Sequence, residues 1–209
     1  MYKHFHNRKG VLAPCPAMWE ALKEGEGLEE ILTDFYTRVY ADPVLVSFFN
    51  RITIERSIEK QFSFLRSIFT GEKCYFGDHP KGAHNWMVIS NELFDHRENL
   101  MEGCLLDYGL PEALIKKWRD IEEVFRSVIV KDTPKDIVCG NIRKPSEGYI
   151  MEVVEVDTLC DACGDEVNAK QEVICHIRTG EVFCGQCKNK NKLKLYKKVD
   201  ATGYVAINS

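Results

Sequence analysis

The chain has 209 residues, of which 44% are hydrophobic and 11% aromatic, enough apolar surface for one medium-sized domain and a smaller one. Its formal net charge of −4 at pH 7 excludes an overall basic field, so nucleic acid contact would need a local patch. The sequence contains neither a secretory signal nor an apolar run of the roughly 20 residues that a membrane helix needs. These features favour a soluble, cytoplasmic protein without membrane contact.

Helical patterns begin the chain. Apolar residues recur every three or four positions over residues 28–40, which predicts an amphipathic helix that ends at Asp42-Pro43. A second helix is predicted over residues 54–69, with Thr53 as its N-cap. Residues 70–89 are rich in glycine, so we expect an irregular connection there with at most one turn of helix.

Two further helices follow. Ser90 is placed to cap a third helix, and Gly109 is placed to end it. Pro111 opens a fourth helix, whose apolar face continues to Val128. The helical period stops after about Lys131.

The composition changes in the last third of the chain. Prolines and glycines, and then a strand-like run over residues 149–156, indicate a domain boundary. Residues 171–177 and 181–183 are strand candidates, joined by the turn sequence 178–180. The predicted organisation is an N-terminal extension (1–17), a helical domain (18–131), a linker (132–156) and a small β-rich domain (157–209).

Four cysteines form two C-x-x-C pairs, Cys160 with Cys163 and Cys184 with Cys187. Two thiolates at this spacing reach one tetrahedral ion at about 2.3 Å each, and two such pairs close the site. In a reducing compartment this pattern indicates a metal rather than disulfides. The sequence therefore predicts a zinc ribbon whose ion is structural, with redox switching by zinc release as the alternative.

Other residues of this region leave alternatives open. Cys175 and His176 lie in the predicted hairpin; either would be able to exchange into the zinc site, but a half-buried strand position is expected for Cys175. Six lysines between Lys188 and Lys198 alternate with Leu193 and Leu195. This run is typical of a solvated edge strand, and phosphate contact is the alternative.

A longer pattern runs through the helical part. Its pieces, in chain order, are residues 34–43, Phe48-Phe49, Lys60-Gln61, Phe64-Leu65, Gly71, Tyr75, Gly77, Ala83-His84, Ile89, Phe94 and Gly109-Leu110-Pro111. This pattern resembles the group I truncated (two-over-two) globins over about residues 18–130. The resemblance implies a mainly α fold around haem b, which binds O2, NO or CO.

The resemblance also implies roles for single residues. A haem iron needs one neutral imidazole, and the family's ligand position falls on His84. Tyr36 and Gln61 fall on the distal side, with Ser57 one helical turn before Gln61. Their O–H and N–H groups would donate to a partly negative diatomic ligand, each bond contributing about 1 kcal/mol or more in a dry site. The implied apolar walls are Phe49, Ile58, Phe64, Leu65, Ile89 and Phe94.

The resemblance also assigns polar residues to the expected haem propionates. The resemblance implies that Tyr75 contacts a haem propionate, and Lys60 or Lys81 would pair with a propionate carboxylate. His79 lies in the same connection as His84 and would compete for iron.

Two features depart from the family pattern. Lys23-Glu24 stands where the family has a double glycine between its first two helices, and Gly25 and Gly27 follow slightly later. The double glycine after the distal helix is reduced to Thr70-Gly71. We expect loop geometry to differ at both places.

Two functions of different class remain. In the first, the haem binds a gas and the zinc ribbon passes the ligand state to a protein or nucleic-acid partner, as in a gas sensor. In the second, the protein is an NO dioxygenase or a peroxidase-like haem enzyme. No G-x-G-x-x-G fingerprint is present, so such an enzyme would need an external reductase, which favours binding and sensing. A globin fold without haem, acting only as a scaffold, is disfavoured by the combination of His84, Tyr36 and Gln61.

Overall fold

The computed structural model describes residues 12–50, 52–77, 79–139, 142–188, 194–199 and 203–207. The chain divides into two compact units that meet between Asp132 and Thr133. Most of the predicted N-terminal extension, residues 1–11, lies outside the described residues. Among the helices described, none is both long and apolar enough to cross a membrane.

The first unit is helical, as predicted. Its helices are α1 (Pro16–Ala21), α2 (Glu26–Ala41), α3 (Ile54–Thr70), α4 (Pro80–Ala83), α5 (Asn91–Tyr108) and α6 (Glu112–Ile129). Short 3-10 turns cover Lys23–Gly25 and Val46–Phe49. The four long helices confirm the periodicity. Helix α1 begins inside the predicted extension, because Pro16 occupies its first turn, where proline costs no hydrogen bond.

Local signals set the helix ends. The Thr53 side chain accepts from the Arg56 N–H at the start of α3, and the Ser90 side chain accepts from Leu93 at the start of α5. Gly71 (φ 77°) and Gly109 (φ 81°) end these two helices in the left-handed region. The predicted caps and the predicted stop at Gly109 are confirmed.

The four long helices share one core. Helix α2 packs against α3 and α5, α5 packs against α6, and α4 also packs against α6. Trp118 of α6 is fully buried and its ring lies 5.4 Å from that of Phe69 in α3. Two carboxylates, Glu98 of α5 and Glu122 of α6, are buried between these helices.

The connection between α1 and α2 keeps a left-handed backbone without the double glycine. Lys23 (φ 49°) and Glu24 (φ 55°) adopt the conformation that glycine tolerates most easily. Gly25 (φ 120°) follows as the N-cap of α2. Gly27 lets two helices approach, since a Cβ there would lie 2.0 Å from the Tyr108 hydroxyl.

The second unit is built on a seven-stranded mixed sheet in the order β1-β2-β9-β8-β3-β6-β7. The strands of the unit are β1 (Ile137–Cys139), β2 (Ile142–Lys144), β3 (Tyr149–Val153), β4 (Thr158–Leu159), β5 (Glu166–Val167), β6 (Glu172–His176), β7 (Val182–Phe183), β8 (Leu195–Val199) and β9 (Gly203–Ala206), with one short helix, α7 (Gly185–Lys188). Strands β4 and β5 form a separate hairpin.

The segment 132–156, expected to be a linker, supplies three strands of this sheet. Its strand β3 pairs antiparallel with β6 and parallel with β8. The prolines and glycines of this segment lie between short strands, where they punctuate the sheet rather than prevent it. The two predicted hairpin strands are present as β6 and β7, with Gly180 (φ 72°) in their turn.

Candidate functional site

His84 lies at the C-terminus of α4, where its side chain is held in one orientation. Its Nδ1 is 2.7 Å from the carbonyl oxygen of Pro80, one helical turn earlier. Burial lowers the pKa of His84, which favours the neutral ring. A neutral ring that donates from Nδ1 to a carbonyl keeps its lone pair on Nε2, the state a metal-binding histidine requires.

The backbone of His84 is also held. The ammonium of Lys131, a residue only 8% exposed, donates to the His84 carbonyl oxygen at 2.6 Å. Lys131 in turn exchanges two backbone hydrogen bonds with Ile89, at 3.1 and 2.9 Å. Sequence reasoning missed Lys131, because it stands just past the end of the last helix, where the periodic signal has stopped.

Tyr36 of α2 is almost completely buried, with 7% of its surface exposed. Its ring makes edge contacts with Phe35 at 5.1 Å and with Phe49 at 5.8 Å. Burial raises the pKa of Tyr36 to about 12, although the positive charge of Arg97 partly opposes this rise. The hydroxyl is therefore protonated at neutral pH, and it forms no hydrogen bond with any residue that the structure describes.

The other predicted distal groups lie on α3. The Ser57 hydroxyl is 3.1 Å from both the Thr53 carbonyl oxygen and the Tyr40 hydroxyl. Tyr40 also donates to the Ile52 carbonyl oxygen at 2.7 Å, so the Ser57 hydroxyl is engaged within the protein. Gln61, one turn further along α3, is half-buried.

Most of the predicted wall residues belong to the hydrophobic core of the helical unit or pack against it. Phe64 of α3 lies 5.2 Å from the Tyr75 ring and 5.5 Å from the Phe125 ring. Of the other predicted wall residues, Leu65, Ile89 and Phe94 are buried. Ile58 is half-buried and lines a surface hollow of about 290 Å³ together with Phe62 and Phe76.

A charged pair, Arg97 and Glu122, joins α5 to α6. The guanidinium of Arg97 in α5 donates to Glu122 Oε1 in α6 and lies over the Phe35 ring, 4.8 Å from its centroid. Sequence reasoning missed this pair. A signal was present, since residues 97 and 98 fall where the apolar stripe of α5 should continue between Phe94 and Met101.

The remaining histidines and lysines of the first unit are more peripheral. His79 caps the start of α4, where its Nδ1 accepts from the Lys81 N–H at 3.2 Å. His96 pairs with Asp42 at 2.8 Å and is 44% exposed. Lys60 and Lys81 are exposed.

These residues fit a haem. His84 offers a neutral imidazole whose orientation is fixed by a carbonyl, an arrangement that suits a metal ligand. Tyr36 offers a buried O–H donor that no described residue satisfies. The rings of Phe35 and Phe49 contact Tyr36, and flat apolar rings suit packing on a porphyrin.

The second unit brings its four predicted cysteines together. The ligand atoms of Cys160, Cys163, Cys184 and Cys187 all lie within 4.8 Å of one another. The Cys163 and Cys184 sulfurs are 3.8 Å apart, which matches the edge of a tetrahedron with bonds of about 2.3 Å. The predicted cluster is confirmed as a site that could hold a metal ion.

Backbone geometry prepares these cysteines for a cation. The Cys160 thiol is buried, which opposes ionisation, but N–H groups of Cys184, Cys163 and Ala162 lower its pKa to about 6. Cys175 lies in the strand beside the cluster, where burial raises its pKa to about 11. His176 is engaged elsewhere, with Glu147 at 3.1 Å and Thr179 at 2.9 Å.

The lysine run is only partly described. Lys194, Lys197 and Lys198 are exposed, on or next to β8. The predicted edge strand is wrong, because β8 pairs with β3 on one side and with β9 on the other. Lys190 and Lys192 lie outside the described residues.

A helical unit with an oriented, neutral histidine and a buried tyrosine is compatible with the globin class of haem protein. The family model "Bacterial-like globin" matches residues 17–130, more than half of the chain. The chain belongs to this family of truncated globins, and membership implies haem and the binding of small gases such as O2.

Individual relatives agree with the family match. A group 1 truncated hemoglobin from Tetrahymena pyriformis is 23% identical over 121 residues, which are 58% of this chain and 93% of the relative. The solved Fe(III) structure of truncated hemoglobin from that organism is 24% identical with a TM-score of 0.50, covering 54% of this chain and 97% of the other.

A second solved structure is the 2/2 hemoglobin from Synechococcus sp. PCC 7002, in the cyanomet state with covalently attached heme. It is 20% identical with a TM-score of 0.51, and the match again covers 54% of this chain and 97% of that one. At these identities the two structures establish the fold of the helical unit. They leave the second unit unmatched.

Proposed function

We propose that this chain is a haem protein that binds a diatomic gas, O2, NO or CO, with His84 as the iron ligand. The observation that carries the proposal is His84 itself, a neutral imidazole anchored through Nδ1 to the Pro80 carbonyl and through its own carbonyl to Lys131. A bound haem would supply the iron to which the gas binds. The chain would supply the His84 imidazole, the apolar walls and the Tyr36 donor.

In this proposal two side chains donate hydrogen bonds to the gas and two aromatic rings keep the site dry. Tyr36 stays protonated because of burial, so it donates a hydrogen bond instead of adding a negative charge. Gln61 lies on α3, one turn after Ser57, and offers an amide N–H from the neighbouring helix. Phe49 and Phe64 exclude water, which strengthens both donors.

We further propose that the cysteine cluster binds zinc in a structural role. Four thiolates at tetrahedral spacing leave no open position for a substrate. The cluster ties together two short hairpins whose own apolar core is small, namely Val167, Val173 and their neighbours. Zinc would supply the folding free energy that this core lacks.

The second unit is the natural candidate for passing the ligand state to a partner, since it has its own core and its own metal site. A sensing role therefore accords with the proposal better than a self-contained enzyme, which would need a reductase. Exposed lysines on β8 leave a nucleic acid or an acidic protein surface as the partner chemistry.

One set of measurements tests these proposals. The purified full-length protein is examined by absorption spectroscopy in the oxidised, reduced and CO-bound states, and by elemental analysis for iron and zinc. We expect a haem spectrum that responds to CO and one zinc per chain. A protein that takes up no haem on reconstitution would contradict the gas-binding proposal, and a zinc-free, folded second unit would contradict the zinc proposal.

A further inference from the structure

Arg97 stands out among the charged residues of the helical unit because it uses little of its hydrogen-bonding capacity. A guanidinium has five N–H donors. Within the described part of the chain, the hydrogen bond from Arg97 Nη1 to Glu122 Oε1 is its only one, and its remaining contact is with the face of the Phe35 ring. Its side chain is 26% exposed, so most of the group lies among protein atoms.

The groups around Arg97 are unsatisfied as well. Glu122 Oε2 is buried without a hydrogen-bond partner among the described residues. Tyr36 is only 7% exposed, and its hydroxyl makes no hydrogen bond with the described residues. Polar groups inside proteins normally have partners, so the open N–H groups of Arg97 and the Tyr36 hydroxyl leave hydrogen-bond donors available to a polar guest between α2 and α5.

Arg97 also lies close to both residues expected to face the haem. Its positive charge acts on Tyr36 of α2 and on His84 after α4, and in each case it lowers the pKa. Geometry places Arg97 beside the Tyr36 donor as well, because the guanidinium lies over the Phe35 ring, which is 5.1 Å from the Tyr36 ring. Its partner Glu122 holds the guanidinium in place and offsets its charge, which makes a partly buried arginine tolerable.

We propose that Arg97 is a ligand-selecting residue of the haem cleft, where its free N–H groups, beside the Tyr36 hydroxyl, favour small anions as iron ligands. The inference rests on the proposed haem binding. A neutral gas gains little from a nearby cation, whereas an anion in a low-dielectric cleft gains a charge-assisted hydrogen bond. Azide and fluoride represent this chemical class, and CO represents the neutral class.

The test compares Arg97→Met with the wild-type full-length protein. The ferric protein is titrated with sodium azide at fixed pH and ionic strength, and the ferrous protein is titrated with CO. Loss of a hydrogen bond to a charged partner should raise the Kd for azide about 10- to 100-fold. The Kd for CO should change by less than about threefold.

Three further variants sharpen the test. Glu122→Gln removes the offsetting charge and should tighten azide binding by about three- to tenfold. Arg119→Met is the matched control, because Arg119 is 29% exposed in the same helix pair but pairs with Glu102 and Glu98 and not with Glu122. It should alter neither Kd. If Arg97→Met does not fold, the double variant Arg97→Met/Glu122→Met replaces it, because it removes both members of the ion pair together. The double variant should fold and bind azide weakly.

The outcomes separate the ideas. Equal azide affinity in Arg97→Met and wild type, both with normal haem spectra, would overturn this inference and leave the proposed function intact. Parallel losses of azide and CO affinity with faster haem release would mean that Arg97 binds a haem propionate, which also overturns it. A wild-type protein that cannot be loaded with haem would overturn both. A selective loss of azide affinity, with a raised C–O stretching frequency in the CO complex, would support it.

Discussion

At the scale of single residues, Tyr36 combines two properties that rarely occur together. It is buried to an extent that raises its pKa to about 12, and its hydroxyl has no acceptor among the residues described. Burying such a donor costs free energy unless it gains a partner. We interpret this cost as the preparation of a donor for a ligand that arrives with the haem.

The first prediction concerns the lifetime of the O2 complex. Tyr36→Phe removes the O–H and Gln61→Leu removes the amide, with little change of shape. If each donor contributes about 1–3 kcal/mol, each variant should release O2 roughly 5- to 150-fold faster. Stopped-flow measurement of O2 dissociation checks this. Tyr40→Phe is the control, because Tyr40 bonds Ser57 and the Ile52 carbonyl oxygen. Unchanged release in both Tyr36 and Gln61 variants would mean that neither donor reaches the ligand.

Residue-level prediction from sequence succeeded where a pattern pointed to the residue. The cysteine cluster followed from spacing, because two C-x-x-C pairs leave few geometric choices. Arg97, Glu122 and Lys131 did not follow, because their importance depends on which charges meet across helices. A gap in an apolar stripe shows that a polar residue is buried, but not what it contacts.

At the scale of elements, the packing of α5 against α6 buries an acid. Glu98 has no exposed side-chain surface, and burial together with the negative charges of Glu122 and Glu123 raises its pKa to about 7. Arg119 and Arg126 lie 3.6 and 3.5 Å away and offset this only in part. The folded protein therefore holds a proton on Glu98 that the unfolded chain would release near pH 4.5.

This proton gives the second prediction. Because the folded-state pKa is above the unfolded value, the folded state is favoured below the unfolded pKa, and that stabilisation is lost as the pH rises towards about 7. Glu98→Gln keeps the shape without the charge and should remove this decline between pH 5 and 8. Urea unfolding across that range measures it. Glu102→Gln, at a 40% exposed position, should keep the wild-type slope. A Glu98→Gln profile identical to wild type would contradict the assignment.

The third prediction concerns the connection between α1 and α2, the turn Lys23–Gly25. Glu24 is exposed and has a φ of 55°, which costs a residue other than glycine about 1 kcal/mol. Glu24→Gly should therefore raise the free energy of unfolding by about 0.5–1 kcal/mol. The gain is smaller than the full cost of the strained backbone, because glycine also increases the conformational entropy of the unfolded chain. Glu30→Gly, inside α2, should instead lower it by about 1 kcal/mol. Chemical denaturation decides, and a destabilised Glu24→Gly variant would contradict the strain argument.

Element-level prediction was good for the helices and weaker for the sheet. The long helices, with the caps Thr53 and Ser90 and the stop at Gly109, follow from local signals that one helix carries by itself. Strand β3 falls in the predicted strand-like run 149–156. Strands β1 and β2 were not predicted, because each is short and its pairing depends on a distant strand such as β9. The connection between α1 and α2 shows another limit of prediction from sequence, because Lys23 and Glu24 adopt a left-handed backbone that their residue types do not predict.

At the scale of the whole molecule, two compact units carry separate chemistry. The first has a single core shared by its helices, and the second has a small core next to four cysteines. The first unit should therefore keep its fold without the second, while the second should depend on its metal.

The fourth prediction follows from this independence. An excess of a strong zinc chelator should unfold the β-rich unit of the full-length protein and leave the haem absorption spectrum unchanged. Circular dichroism and the Soret band, recorded together, measure the two events. A chain that ends at Asp132 keeps Lys131 on His84 and should bind haem and CO like the full protein. Loss of haem upon chelation would mean that the units are coupled.

The central claim is that His84 binds the haem iron, and its direct test is the absorption spectrum of His84→Ala beside His79→Ala and His96→Ala. We expect His84→Ala to lose the normal Soret band and the CO-bound spectrum, because the alanine offers no ligand. The other two should retain both, since His79 caps α4 and His96 pairs with Asp42. Normal ferric, ferrous and CO spectra in His84→Ala would contradict the account.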